Sequence, residues 1–274
     1  MLITTDGLVA RVFDGSGTDR YIHLLTPTRG RLTVTIKNGQ SGRASIASYT
    51  QLFTYGNYEL YEKNKRYWLR NGSVAHTFYN LTTDLEKMAL ASYLCDLTCE
   101  MTNDEEGEET DPAEESGALL RMLLNALYVI HTGEKPAPIV KGVFELRAAA
   151  MAGYAPSVVG CALCHEGHPA ESYLDVMNGR LICADCQAKR NRAGGMMIQM
   201  QDNELGERSI LLPLSSSVLA AVRYALGAPE KKIFSFTLKD KEEEAAFAKV
   251  AETFLLNHLE RGFDTLDFYK SVIK

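Results

Sequence analysis

The sequence predicts an N-terminal β-barrel followed by an α-helical domain that carries a four-cysteine metal-binding insert. The first 80 residues are rich in Thr, Tyr, Val, Ile and Phe, and turn residues break them at short intervals. The remainder shows apolar residues at helical spacing, and two Cys-x-x-Cys pairs interrupt it at about residues 158–190. We therefore predict a multidomain β + α protein.

Short β-strands are predicted along residues 1–80. Leu32–Ile36 alternates apolar side chains with Thr, a period of two that is typical of a half-buried strand. Further strands, separated by tight turns, are predicted at Leu8–Phe13, Tyr21–Thr26, Tyr49–Tyr61 and Arg66–Leu69. About five short strands favour a small closed barrel, for which the OB-fold is the five-stranded form. A β-sandwich is the alternative.

Helical periodicity begins after Thr77. Helices are predicted at Leu81–Leu97, Leu119–Ile130, Ile139–Met151, Pro213–Leu226 and Lys239–Leu259. Acidic first turns and a proline at the start of the fourth helix fit helix N-termini. We therefore predict an OB-fold domain over residues 1–80 and an α-helical domain over residues 81–274. The acidic segment at residues 104–115 is predicted to be a solvated connector.

Composition and charge restrict the classes of function. The 274 residues are 46% apolar and 23% charged, which excludes disordered, collagen-like and coiled-coil chains. The apolar runs are too short for a membrane helix and no secretory signal is recognisable, so we expect a cytoplasmic protein without a membrane partner.

The net charge of −6 divides into +5 for residues 1–80, −9 for residues 81–160 and −2 for residues 161–274. This asymmetry indicates a polyanionic partner for the first segment.

The strongest local signal is a candidate zinc site. Its predicted ligands are Cys161, Cys164, Cys183 and Cys186. The 18 residues between the two pairs fall within the window of about 15 to 20 residues for four-cysteine sites. Asn178–Gly179 favours a type I′ turn in a β-hairpin between the pairs, which is the zinc-ribbon layout. Four thiolates leave no open coordination position, so we predict one structural Zn²⁺ per chain.

Other candidate chemistry is weaker. His165 and His168 lie near the quartet and are predicted to be surface residues, and Cys95 and Cys99 to be small buried hydrophobic residues. The zinc-deaminase signature is broken at His168–Ala170 and by Ile182 before Cys183. Phosphate-binding, dinucleotide-binding, metalloprotease and hydrolase motifs are absent from the sequence. We therefore predict no catalytic residues and no enzyme activity.

A basic surface on the barrel is the second candidate site. Its cations are Arg11, Arg20, Arg29, Arg31, Lys37, Arg43, Lys63, Lys65, Arg66 and Arg70. The aromatic residues interleaved with them are Tyr21, Tyr49, Phe53, Tyr55, Tyr58, Tyr61, Tyr67 and Trp68. Single-strand binders combine cationic grooves with aromatic stacking platforms. The alternative is that the aromatic residues fill the barrel core and the charges only keep the protein soluble.

The order of these parts resembles the RecO family of bacterial DNA repair and recombination mediator proteins. The segments that carry the resemblance run through most of the chain: Leu8–Phe13, Thr18–Arg20, Leu24–Leu32, Lys37–Gly39, Phe78–Leu81, Asp84–Leu94, Phe144–Arg147 and Gly153–Pro156 leading to Cys161. Beyond Lys37 the family's basic cluster is reduced to Arg43, because Gln40–Gly42 intervenes. The acidic segment also looks longer than is usual in the family.

The resemblance implies a non-enzymatic role at DNA. Such proteins bind single- and double-stranded DNA, anneal complementary strands, and act with RecR to load RecA. They also bind the acidic C-terminal tail of the single-stranded DNA-binding protein, for which we consider Arg121 and Arg147. The competing hypotheses are a zinc-bearing protein-interaction scaffold that does not bind DNA, and a metalloenzyme.

Overall fold

A computed structural model describes residues 1–15, 17–41, 44–102, 112–197 and 210–273. The chain divides into two compact units. The first consists of Met1–Ala137 together with Phe263–Lys274, and the second is Pro138–Gly262. The predicted domain boundary at residue 80 lies where strands give way to helices, and as a boundary between domains it stays a prediction.

The first unit contains the predicted barrel. Its strands are β1 (Leu2–Asp14), β2 (Arg20–Thr26), β3 (Gly30–Ile36), β4 (Thr54–Lys63) and β5 (Arg66–Thr77). In the part of the chain that the structure describes, these strands close in the order β1-β2-β3-β5-β4. Neighbouring strands are antiparallel except β3 and β5, which pair in parallel. This closed five-stranded form confirms the OB-like barrel and rules out the β-sandwich.

Side-chain alternation separates the barrel's core from its surface. Leu32, Val34 and Ile36 of β3 are buried in the core cluster, whereas the threonines between them face outward. Tyr58 of β4 is fully buried, and its hydroxyl donates to the carbonyl oxygen of Tyr49 at 2.7 Å. The period-2 pattern therefore fixes which residues of each strand remain available to a ligand.

The predicted strand Tyr49–Tyr61 is wrong in its first part. Residues Ala44–Thr50 form helix α1, and β4 begins only at Thr54. The chain reverses between them through Phe53, whose φ of 61° is left-handed. Helix α1 directs Ile46 and Tyr49 toward the barrel core. The aromatic and β-branched residues that predicted a strand here serve instead to close the end of the barrel.

Helices complete the first unit. They are α2 (Asn80–Thr83), α3 (Leu85–Met101), α4 (Pro112–Thr132) and α9 (Asp264–Val272). The predicted helix Leu81–Leu97 is divided at Asp84, whose carboxylate accepts from the main-chain N–H groups of Glu86 and Lys87 and caps α3. Helix α9, which was not predicted, packs against α3, where Thr265 donates to Asp96 at 2.9 Å.

The second unit combines helices with a small sheet. Its elements are α5 (Ala137–Met151, whose first residue belongs to the first unit), β6 (Glu171–Asp175), β7 (Arg180–Cys183), α6 (Ala184–Met197), β8 (Leu211–Ser215), α7 (Ser216–Gly227) and α8 (Lys241–Leu259). The sheet order is β7-β6-β8 in the described residues. Helices α5 and α8 are joined by Lys141, whose ammonium lies 2.8 Å from Glu145 and 2.7 Å from Glu252.

The prediction that a helix begins at Pro213 is wrong. Pro213 lies in β8, opposite Tyr173, and helix α7 begins at Ser216. An edge strand tolerates proline because one side of its backbone needs no ladder partner. Ser215 caps α7 by accepting from the N–H of Val218. The apolar residues after Pro213 thus belong to a strand followed by a helix.

Candidate metal centre and nucleic-acid interface

The predicted ligand cysteines are brought together in the second unit. Cys161 and Cys164 lie on a loop that precedes β6, Cys183 ends β7, and Cys186 lies in the first turn of α6. Their Sγ atoms all lie within 4.8 Å of one another. Cys161, Cys183 and Cys186 are buried, whereas Cys164 is exposed. The hairpin of β6 and β7 therefore brings the second pair back onto the first.

The sulfur positions suit a tetrahedral metal ion. Zinc–sulfur bonds of about 2.3 Å place tetrahedral sulfur atoms roughly 3.8 Å apart. The Sγ atoms of Cys164 and Cys183 are 3.6 Å apart. Main-chain N–H groups also point at the sulfurs, because Cys183 donates to the Sγ of Cys161 at 3.3 Å and Cys186 donates to that of Cys183 at 3.4 Å. The four cysteines are thus compatible with a bound structural metal.

These N–H groups favour the thiolate form that a metal needs. Burial alone raises the pKa of Cys161, but hydrogen bonds from the backbone of Cys183, Leu163 and Cys164 outweigh it and lower the pKa to about 6. A metal ligand must lose its proton before it binds. The backbone N–H groups around Cys161 therefore favour its thiolate form.

The neighbouring histidines and the hairpin turn were predicted with mixed success. His165 and His168 are exposed, as expected. The hairpin is present, but its loop spans Val176–Gly179 and, among these residues, only Gly179 has a positive φ, so the predicted type I′ turn is wrong. The Asn178 side chain instead donates to the carboxylate of Asp175, which stabilises a longer turn.

Cys95 and Cys99 play no part in this cluster. Both are buried on α3 in the first unit, and burial raises the pKa of Cys99 to about 12. The prediction that they are small buried hydrophobic residues is confirmed.

A continuous series of mostly aromatic side chains lies on the outer surface of the barrel. Cross-strand register places Phe13 beside Tyr21, Tyr21 beside Thr35, Thr35 beside Trp68, and Trp68 beside Tyr61. The rings of Phe13 and Tyr21 stack with centroids 5.6 Å apart, and those of Tyr61 and Trp68 lie 6.1 Å apart. All five side chains are at least partly exposed. We call these five residues the aromatic row.

The remaining predicted aromatic residues are less available. Tyr49, Phe53 and Tyr58 are buried, while Tyr67 packs its half-buried ring against the core and Tyr55 is half-buried. For the buried residues the alternative interpretation as barrel core is therefore correct. Phe13 was not predicted, although it lies two residues from Arg11 and therefore on the same face of β1.

The predicted cations lie in several places. Lys63, Lys65 and Arg66 are exposed at the β4–β5 turn, close along the chain to Tyr61 and Trp68. Lys37, Arg70 and Arg11 are also exposed. Arg20 pairs with Asp14 at 3.0 Å, and Arg29 pairs with Glu62 at 3.4 Å. Arg43 and residues 104–111 of the acidic segment lie outside the described residues, whereas residues 112–115 belong to α4, so the predicted connector is wrong there.

His23 lies beside the aromatic row and was not predicted. Its ring contacts Phe13 with centroids 5.1 Å apart. Burial lowers its pKa, the cations Arg31 and Arg11 lower it further, and Asp96 acts in the opposite direction, with a result of about 4. The ring is therefore neutral at pH 7, mainly because it is buried.

The two arginines considered for partner binding differ in their exposure to solvent. Arg121 is exposed on α4. Arg147 is half-buried, and its guanidinium donates to the carbonyl oxygens of Ala225 and Ala228 at the C-terminal end of α7. Arg147 is thus occupied in stabilising the end of a helix.

Two family models match this chain. A family model described as "Recombination protein O N terminal" matches residues 1–78, and one described as "Recombination protein O C terminal" matches residues 82–200. The chain belongs to the recombination protein O family. This is a family of DNA repair and recombination proteins, as the sequence resemblance indicated.

Curated relatives agree with this assignment. The DNA repair protein RecO of Acetivibrio thermocellus is 24% identical over 271 residues, which is 98% of this chain and 97% of that relative. The DNA repair protein RecO of Clostridium kluyveri is 22% identical and covers 99% of this chain and 95% of its own length. That of Shouchella clausii is 29% identical over 193 residues, or 70% of this chain and 72% of that relative. No helix in the described residues is long and apolar enough to cross a membrane.

The low pKa of His23 makes stability depend on pH. In the folded protein the ring takes up a proton only near pH 4, whereas in the unfolded chain it does so near pH 6.5. Between these values the unfolded chain binds the extra proton, so the free energy of unfolding decreases as the pH falls from 6.5 to 4.

We expect the His23→Gln variant to lose less stability than the wild-type protein between about pH 7 and about pH 5, as measured by urea unfolding. The matched control is His168→Gln, which changes an exposed histidine. If the free energy of unfolding changes equally with pH in the wild type and in His23→Gln, the low pKa of His23 would be contradicted.

Proposed function

We propose that the protein is a non-enzymatic recombination mediator that binds single- and double-stranded DNA and anneals complementary strands. With RecR, it would help to load RecA onto DNA coated by the single-stranded DNA-binding protein. Membership of a DNA repair family supports this role, and the aromatic row on the barrel is the observation that carries it. A cytoplasmic, nucleoid-associated location follows from the proposal.

The aromatic row suits single-stranded DNA for a physical reason. OB-folds bind oligonucleotides on the face of strands 2 and 3, and the row crosses this face at Tyr21 and Thr35. Exposed rings stack on unpaired bases of any sequence, and nearby cations attract the phosphates. Lys63, Lys65 and Arg66 lie at the end of the row that Tyr61 and Trp68 form. A strand lying along the row would therefore meet both kinds of contact.

Annealing requires two strands to approach despite their charges. Cations on the barrel would neutralise phosphate repulsion, and the rings would hold bases unstacked until they meet their complements. The protein needs no catalytic group for this, because base pairing supplies the free energy. The alternative function is a zinc-bearing protein-interaction scaffold that does not bind DNA.

We expect Trp68→Ala to weaken binding of a fluorescent oligo-dT by about 5- to 150-fold, because one stacked base contributes about 1–3 kcal/mol. Fluorescence anisotropy across a salt series measures this effect. About five phosphate contacts would give the wild type a log–log slope of roughly −3.5 on single strands.

The control for this experiment is Tyr154→Ala, because Tyr154 is an exposed tyrosine of the second unit. Unchanged affinity in Trp68→Ala would remove the aromatic row from the DNA site. Wild-type protein that binds no DNA at low salt would favour the scaffold.

We also propose that the four cysteines hold one structural Zn²⁺ per chain. A shell of four thiolates has no position for water, so the ion would stabilise the fold and not activate a substrate. Its ligands Cys161 and Cys164 would be tied to Cys183 and Cys186, and so the loop before β6 would be joined to α6.

A Cys183→Ser variant is expected to lose its zinc and to lower the melting temperature of the second unit, since the free energy of metal binding contributes to the stability of the folded state. Zinc content by mass spectrometry and a thermal melt measure both effects. Cys99→Ala is the control, because it removes a buried thiol outside the cluster. A metal-free variant of unchanged stability would argue against a structural zinc.

Binding of the acidic C-terminal tail of the single-stranded DNA-binding protein is the last part of the proposal. Arg121 is the residue with which to test it, because Arg147 holds the end of α7 and its loss would disturb the fold. Arg121→Glu is expected to weaken binding of a labelled tail peptide by about 10-fold or more, as a charge-assisted hydrogen bond contributes about 1.5–3 kcal/mol. Arg190→Glu, on the exposed face of α6, is the control. Equal binding by both variants would exclude Arg121 from the tail site.

A further inference from the structure

Arg223 of α7 holds the loop that carries the first two cysteines. Its Nε donates to the carbonyl oxygen of Val158 at 2.6 Å. Its Nη2 donates to the carbonyl oxygens of Val159 at 2.9 Å and Gly167 at 2.7 Å. Residues 158–159 enter the loop and residue 167 leaves it, so a single guanidinium fastens both of its ends.

The same loop is held on its other side by the hairpin. Ala162 donates its N–H to the carbonyl oxygen of Leu181 on β7 at 2.8 Å. Within the loop, Cys161 donates to the carbonyl oxygen of Glu166 and His165 donates to that of Cys161, both at 2.9 Å. The loop is thus a closed turn that lies between β7 and the Arg223 side chain.

We propose that Arg223 is a positioning residue for the metal centre, acting through the main chain of residues 158–167. This inference rests on the zinc site proposed above. Cys161 is packed in a core cluster, whereas Cys164 is exposed, so core packing holds only one of the two cysteines of this turn. A rigid planar donor that fixes both ends of the turn reduces the freedom lost when the metal binds.

The hydrogen bonds of Arg223 orient the main chain of the loop without reaching the cysteine side chains. Partners that orient metal ligands without touching the metal typically change its affinity by about 10- to 100-fold.

The chain provides a matched control in Arg147. This residue also directs its guanidinium at main-chain carbonyls, those of Ala225 and Ala228 at the C-terminal end of the same helix α7. It lies on α5 and makes none of the hydrogen bonds described for the 158–167 loop. Loss of Arg147 should therefore lower the stability of the second unit without a selective effect on the metal.

The experiment measures zinc affinity and the rate of zinc loss on full-length protein, by competition with a chromophoric chelator. The variants are Arg223→Gln, Arg223→Lys, Arg147→Gln and Arg147→Lys. Cobalt substitution adds a readout of coordination geometry through its thiolate charge-transfer and ligand-field bands. A thermal melt of each apoprotein measures stability separately.

We expect Arg223→Gln to bind zinc about 10- to 100-fold more weakly and to release it faster, with altered cobalt bands. Arg223→Lys, which keeps the charge and one donor, should recover part of the loss, and Arg147→Gln should bind zinc as the wild type does. If Arg223→Gln does not fold, the comparison of Arg223→Lys with Arg147→Lys decides in the same way.

Two results would overturn the inference. Equal losses in the Arg223 and Arg147 variants would show that zinc binding follows general stability, and unchanged affinity in Arg223→Gln would show that the loop needs no such support. A wild-type protein that binds no zinc would instead refute the metal site itself.

Discussion

The barrel depends on a short parallel contact between β3 and β5. Val34 pairs with Tyr67 and Thr35 with Trp68, and this contact converts a curved antiparallel sheet into a closed barrel. The pairing directs Tyr67 toward the core, where it packs with the cluster around Val34. It also places Trp68 outside, next to Thr35. One register thus determines both the stability of the barrel and the continuity of the aromatic row.

Helix α7 has a similar central position in the second unit. Arg223 connects its side to the cysteine loop, and Arg147 donates to the carbonyl oxygens of Ala225 and Ala228 at its C-terminal end. Ser215 caps its first turn and at the same time ends β8, the strand that extends the hairpin sheet. The helix is therefore tied at its start, along its side and at its end, which explains how a short element can support the loop that carries Cys161 and Cys164.

Local patterns in the sequence predicted most of the fold and the site. Alternation along β3, the helical spacing in α5 and the spacing of the cysteines each depend on residues close in the chain, and each prediction matched the structure. The errors arose where a distant contact overrides a local preference. Residues Ala44–Thr50 form a helix because Ile46 and Tyr49 fill the end of the barrel, and Pro213 lies in a strand because β6 offers it an edge.

The candidate functional residues also differ in whether local sequence patterns or distant contacts identify them. Composition identified a basic, aromatic-rich segment, but only strand register separates the buried rings of Tyr58 and Phe53 from the outward rings of Tyr21 and Trp68. His23 and Arg223 carried no motif, because their contacts depend on cross-strand pairing and, for Arg223, on residues more than 50 positions away in the sequence. Strand register and long-range hydrogen bonds determine which side chains face outward and what they contact, and the periodicity of the sequence does not.

Closure of the barrel also explains how it can expose aromatic side chains. An open sheet with a row of rings on its surface would present unpaired edge strands beside apolar area, which favours aggregation. In the described strands of the barrel, each of the five has a partner on both sides, so the backbone offers no edge there. The cations at the β4–β5 turn and beside His23 add like charges that keep copies of the protein apart. The rings of the aromatic row can therefore be exposed without an unpaired strand edge beside them.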